Sequence, residues 1–133
     1  MIFIEVPVGE PARIVNLHPR ALSTLLGLVS FAYPFSDDQI AVAHDDDGIA
    51  NGREPNRTVN GEIIPGPFYV CRINGSGELC DLTPEDLSTY MEMFKEPEVF
   101  PSGHWTVHTK TEETEYSFVL HMISEWVKDG EED

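Results

Sequence analysis

The sequence predicts an α+β fold, a mostly antiparallel sheet of five or six strands packed on one side by about three helices. Three observations predict it. Short runs of branched and aromatic residues recur between Gly, Pro, Asn and Asp turns, as strands of an antiparallel sheet do. Apolar residues return at helical spacing in three other stretches. Of the 133 residues, 41% are apolar and 10% aromatic, which supplies one core. A chain of this size buries roughly two-thirds of its unfolded surface. A single domain over residues 1–133 is expected, with a core over 1–100 and an added C-terminal strand and helix over 101–133.

Ile2 to Val8 alternates as a strand and ends at Gly9-Glu10-Pro11. An extended piece around Arg13-Ile14-Val15 completes an opening hairpin. Pro19 sits where a first helical turn tolerates proline. Leu22, Leu25, Leu26 and Val29 follow at spacings of three, four and seven, an amphipathic helix ending near Gly27 or Leu28. Strands over Ser30 to Phe35 and Gln39 to Ala43 come next, and Asp45-Asp46-Asp47-Gly48 makes a turn whose Asp-Gly pair favours a hairpin bend.

Residues 49–65 hold few apolar side chains and read as an irregular loop carrying Arg53, Asn56 and Arg57. Phe68 to Ile73, the turn Asn74-Gly75-Ser76-Gly77 and Glu78 to Asp81 form the clearest hairpin; a four-residue turn sets Cys71 opposite Cys80. Thr83-Pro84-Glu85-Asp86 is a helix start: a hydroxyl cap, proline at the first position and acids at the positive end of the dipole. Leu87, Tyr90, Met91 and Phe94 form its apolar stripe, and Pro97 stops it. The last third gives a strand over His104 to Thr109, then a helix with Glu112, Glu113 and Glu115 in its first turn and Tyr116, Val119, Leu120, Ile123 and Trp126 on its apolar face.

Charge excludes several roles. Asp and Glu number 24 against 8 Lys and Arg, a formal net charge of −16. A protein that neutralises phosphates needs a basic face, so direct nucleic-acid binding is not expected, and anionic membranes repel such a chain. The longest apolar stretch, Leu25 to Phe35, is broken by Ser30 and Pro34 and is too short to span a bilayer. The opening residues lack the basic region of a signal peptide. Two cysteines are no disulfide framework, so a reduced pair in the cytoplasm of a bacterial host is the expectation.

Several strings occur in a telling order: Tyr33-Pro34-Phe35-Ser36-Asp37-Asp38, the Asp47-Gly48 turn, Asn56-Arg57, Gly66-Pro67-Phe68-Tyr69-Val70-Cys71, and Leu82-Thr83-Pro84-Glu85 through Phe94-Lys95. In this the chain resembles domain-of-unknown-function family 3846, small proteins of phages, plasmids and the bacterial genomes that host them. The likeness covers about residues 1–100. It implies an α+β fold and a phage or mobile-element setting, and it brings no catalytic residues.

Two constellations bear on function. One is carboxylate: Glu112, Glu113, Glu115, Glu125 and Asp129 form one array on the last helix, and Asp37, Asp38, Asp45, Asp46 and Asp47 form another. A dense carboxylate face imitates a phosphate backbone, so the first reading is an acidic, DNA-mimicking inhibitor that binds the basic surface of a host defence or DNA-handling protein. The bland reading is acidity for solubility. The other constellation is Arg53, Asn56 and Arg57 beside Tyr33. Guanidinium forks match phosphates and aromatic faces stack on bases, so the alternative is a binder that sequesters a small anionic nucleotide. Its bland counterpart is pairing of both arginines with nearby aspartates. An acidic assembly module without a ligand is the third class.

Other patterns carry less. His44-Asp45-Asp46-Asp47 lacks the alternating ligands, central glycine and distal glutamate of a calcium loop. His104 and His108, four apart on a strand, stand about 13 Å apart, too far to share a zinc ion. The chain has no nucleophile elbow and no phosphate loop, so it is read as a non-enzyme without a cofactor or metal. Trp105, Phe118 and Trp126 exceed what one helix stripe needs, and a homodimer interface is a further expectation there.

Overall fold

The structure, a computed structural model, describes residues 1–100. The strand over His104 to Thr109, the last helix and the carboxylates Glu112, Glu113, Glu115, Glu125 and Asp129 lie outside the described residues, as does the expected interface around Trp105. Eight strands and two helices follow in the order β1 (Ile2–Val6), β2 (Arg13–Asn16), α1 (Ala21–Leu26), β3 (Val29–Ala32), β4 (Ile40–Asp45), β5 (Pro55–Val59), β6 (Glu62–Pro65), β7 (Phe68–Ile73), β8 (Leu79–Cys80) and α2 (Pro84–Met93). The fold is α+β, and every strand pairing is antiparallel.

The main sheet runs β2-β1-β7-β4-β3, with the short β8 also on β7. Its middle strands are buried on both faces: all six residues of β4 and the first four of β7 are buried. Alternation sorts them into two cores. Phe3, Ala41, Ala43, Tyr69 and Cys71 meet Leu22 and Leu26 of α1 on one face. Ile4, Val6, Ile40, Val42, Phe68 and Val70 meet Tyr90 and Phe94 from α2 and its end on the other. Helices therefore cover both faces, not one. The uninterrupted apolar runs Ile40-Ala41-Val42-Ala43 and Phe68-Tyr69-Val70-Cys71 are what two buried faces require.

The helices begin and end where their sequences direct. At α2, Thr83 Oγ1 accepts the Asp86 N–H at 3.1 Å while Asp86 Oδ2 accepts the Thr83 N–H at 2.8 Å, a reciprocal capping box with Pro84 in the first turn. The six residues of α1 stop at Gly27, whose φ of 81° lets the chain reverse. Val29 then belongs to β3, and Leu25 is 44% exposed.

Two local expectations are corrected. Residues 49–65 are not irregular throughout: 49–54 are turns and coil, but β5 and β6 then pair as a second, two-stranded sheet. Asn60 and Gly61 turn between them with φ of 52° and 84°, the left-handed pair that a two-residue hairpin turn demands. The β7–β8 connection is one residue longer than expected, so Arg72 faces Cys80 and Ile73 faces Leu79. A slip of one residue turns a side chain to the opposite face. The slip therefore pairs Cys80 with Arg72, on the face opposite to Cys71; Cys71 itself lies in the α1-side core, and its thiol is pushed up to about 12 by burial and then by Cys80. Both cysteines are free.

Candidate binding cleft

The β5–β6 hairpin lies on the α2 side of the sheet, and a buried Asn-Arg pair fastens it there. A register shift between Pro55 and Arg57 marks an irregularity in β5 at these residues. Asn56 Nδ2 donates to Val6 O at 2.8 Å and Gly66 O at 2.9 Å. Arg57 Nη1 donates to Asn56 Oδ1 at 2.7 Å and Pro7 O at 3.3 Å, and Nη2 donates to Glu10 O at 2.7 Å and Phe94 O at 3.1 Å. Arg57 is only 3% exposed, and its Nε has no hydrogen-bond partner among the described residues. Burial lowers its pKa, and the negative charge of Glu98 acts the other way.

Arg53 sits elsewhere. Its Nε donates to Asp45 Oδ2 at 2.6 Å and its Nη2 to Leu26 O at 3.4 Å. Asp45 also accepts from Asn51 Nδ2 and the Asp47 N–H, both at 2.9 Å. Burial pushes the Asp45 carboxyl up, but the hydrogen bonds from Arg53, Asn51 and Asp47 outweigh it, and the net shift is downward. Next to it, burial lowers the pKa of His44, whose ring is 1% exposed and whose Nδ1 lies 3.2 Å from Asp45 O.

A third clamp had no advance signal in the sequence. Arg72 grips Asp86 through two bonds of 2.8 Å and reaches Asp37 Oδ2 and Gln39 Oε1, each at 3.1 Å. Hydrogen bonding from Arg72 holds the Asp86 carboxyl at about 2, against the opposing effect of burial and with help from Thr83. Arg72 on β7 thereby ties the central strand to the start of α2.

Of the residues singled out as a ligand pocket, Arg53, Asn56 and Arg57 are engaged in structural contacts, and of them Arg57 lines the cleft. Asn56 and Arg57 are buried clamps, Arg53 serves the Asp45 corner, and Tyr33 is 42% exposed on the segment after β3. The carboxylate array of Asp37, Asp38, Asp45, Asp46 and Asp47 divides as well. Asp37 and Asp38 precede β4 whereas Asp45, Asp46 and Asp47 stand at its far end, about 17 Å away by strand rise. Asp45 is 2% exposed and cannot present its charge to a partner; Asp38 and Asp47 are exposed.

What the fold does build is a half-open cleft of about 470 Å³ between the segment after β3, the β5–β6 hairpin and the end of α2. Arg57 contributes to its lining, with Phe35, Tyr90 and Phe94 as aromatic walls. Those rings pack on one another: Phe35 lies 4.8 Å from Tyr90 and 6.4 Å from Phe94 between centroids. Glu96 and Glu98 line the cleft too and are exposed, and Glu98 is fixed by Thr58, whose N–H and Oγ1 donate to it at 2.7 Å and 2.6 Å. Met93, 51% exposed, stands beside them. Burial raises the pKa of Tyr90, as do the charges of Asp37 and Asp86, while Arg72 opposes them. No group of three or more His, Cys, Asp or Glu among the described residues is arranged to hold a metal ion. No described helix is long and apolar enough to cross a membrane.

The described chain is thus a small antiparallel α+β domain in which Arg53, Arg57 and Arg72 clamp its own segments and whose α2 side opens a cleft. A model of the family described as Domain of unknown function (DUF3846) matches residues 1–95, and the chain belongs to that family. No curated protein and no solved structure matches the chain.

Proposed function

We propose that this protein works by binding, as an acidic accessory protein of a phage or mobile element that occupies the basic surface of a host defence or DNA-handling protein. One observation carries the reading: most of the described cations are engaged with groups of the fold, while many carboxylates stand exposed. Arg13, Arg53, Arg72 and Lys95 each pair with a carboxylate, and Arg57 is buried. Asp38, Asp47, Glu54, Glu78, Glu85 and Glu96 are exposed. A chain carrying −16 with five of its six described arginines and lysines so engaged, Arg20 being exposed, repels polyanions and draws in polycations. Sequestration of an anionic nucleotide has less support. A phosphate entering the cleft meets Glu96 and Glu98, and both Nη atoms of Arg57 already donate to oxygens of the fold.

The test is retention of bacterial lysate proteins on the immobilised chain. A specific partner should bind at about 50 mM salt, leave by about 300 mM and be displaced by duplex DNA. Retained partners indifferent to both salt and DNA would remove the reading.

A further inference from the structure

From the make-up of the cleft we infer that it is the anchor point of the acidic surface, receiving an arginine or lysine side chain of a protein partner. This rests on the binding role proposed above and assigns that role a place. Three observations converge. The cleft, at about 470 Å³, has room for one long side chain with its backbone. Its walls are the rings of Phe35, Tyr90 and Phe94 and the thioether of Met93, surfaces against which the methylene stem of a basic residue packs and over which a guanidinium plane stacks. Its exposed edge carries Glu96 and Glu98, and Glu98 is already oriented by two hydrogen bonds from Thr58.

Charge complementarity selects the occupant. The chain carries −16, so an anionic side chain is repelled before it reaches the edge, and a neutral one leaves both glutamates without a counter-charge. Arg57 does not reverse this preference. Its Nη atoms donate to four oxygens of the fold, and Glu98 is the carboxylate whose field acts on it, so the buried cation is screened where the edge carboxylates are not. Aromatic walls with exposed carboxylates beyond them form the usual chemistry for a cation on an apolar stem. Such an anchor gives an otherwise diffuse acidic surface a fixed docking register.

The inference is read by NMR on the full chain, following the Met93 ε-methyl and the Arg57 Nε–H during titration with capped Gly-Arg-Gly, capped Gly-Glu-Gly and ADP. The arginine peptide should move both signals at millimolar concentration, and the other two probes should not. Glu96→Gln with Glu98→Gln should weaken that peptide about fivefold, whereas Glu78→Gln, at the remote β7–β8 turn, should leave it unchanged. The inference is overturned if the Met93 signal stays still up to roughly 10 mM peptide. Equal binding of the glutamate peptide or ADP overturns it too, as does indifference to the paired glutamine variant. The lysate experiment keeps the two readings apart. A salt-sensitive partner that still binds the paired variant removes the anchor alone, and a partner insensitive to salt removes the acidic surface.

Discussion

Arg53 and Arg57 lie four residues apart, yet one meets a carboxylate and the other only neutral oxygens. Arg53 closes a corner: it neutralises a buried aspartate and keeps 27% of its side chain exposed. Arg57 is interior, and its forks satisfy backbone carbonyls that no strand reaches. Pro7 and Glu10 lie in the β1–β2 connection, and Phe94 caps the carboxyl end of α2, where helical carbonyls go without partners. The difference teaches where stability is concentrated. Loss of Arg53 leaves the buried Asp45 with Asn51 and the Asp47 N–H as remaining donors, whereas removal of Arg57 strands oxygens of several segments at once.

The largest expected effect breaks that comparison at its stronger end. Arg57→Met should lower the unfolding free energy by about 3 to 5 kcal/mol in urea titrations, against about 2 to 3 kcal/mol for Arg53→Met, after which the buried Asp45 still accepts from Asn51 and Asp47. Arg57→Lys should recover less than half, because one ammonium cannot span the carbonyls of three segments. Equal losses for the two methionine variants would show that burial does not separate the two sites.

Asp86 sharpens the comparison, because its partner Arg72 forms a bidentate pair with the carboxylate 6% exposed. Its folded pKa, about 2, lies below the ordinary value of 3.8. The stabilisation is therefore complete above the unfolded value and is lost as pH falls through about 4 towards about 2. Asp86→Asn should cost about 2 kcal/mol at neutral pH and flatten the acid limb of a stability-against-pH curve. Asp45, also shifted downward, keeps part of that limb in the variant. Arg57→Met should lower the whole curve and change its acid limb less than Asp86→Asn does, since its hydrogen-bond partners do not titrate and Glu98 acts on it only through its field. An acid limb left intact by Asp86→Asn would contradict the geometry of the pair.

Much of the fold was legible because local and tertiary preferences agree. The Thr83 capping box, the opening hairpin and β7 all lie where short-range patterns put them. The β5–β6 hairpin was missed although Asn60-Gly61 stands between Thr58-Val59 and Ile63-Ile64, a strong two-residue turn signal. The surrounding polar residues hid it, because Asn56 and Arg57 look like loop side chains until burial shows their backbone partners. The cleft was hidden for the same reason. Tyr90 and Phe94 were readable as a helix stripe, but the opposing wall belongs to the missed hairpin. The two-sided core was present in the unbroken apolar runs of β4 and β7, and strand-by-strand reading does not say how many layers cover them.

The smallest expected effect concerns how closely the Arg53 corner approaches the hairpin. Gly66, at φ 77°, follows β6, donates its N–H to Glu54 O at 2.7 Å and gives its carbonyl to Asn56, the neighbour of Arg57. A Cβ at this position would collide with the Arg53 side chain, so the glycine links the two arginine sites physically. Gly66→Ala should cost about 1 to 2 kcal/mol, part from the left-handed backbone and part from the collision. Arg53→Ala removes most of the second part, leaving only its own Cβ near the new methyl, so the double variant should be more stable than the sum of the single losses by about 0.5 to 1 kcal/mol. Additive losses in that cycle would mean that the backbone conformation alone requires glycine and that the two sites act independently.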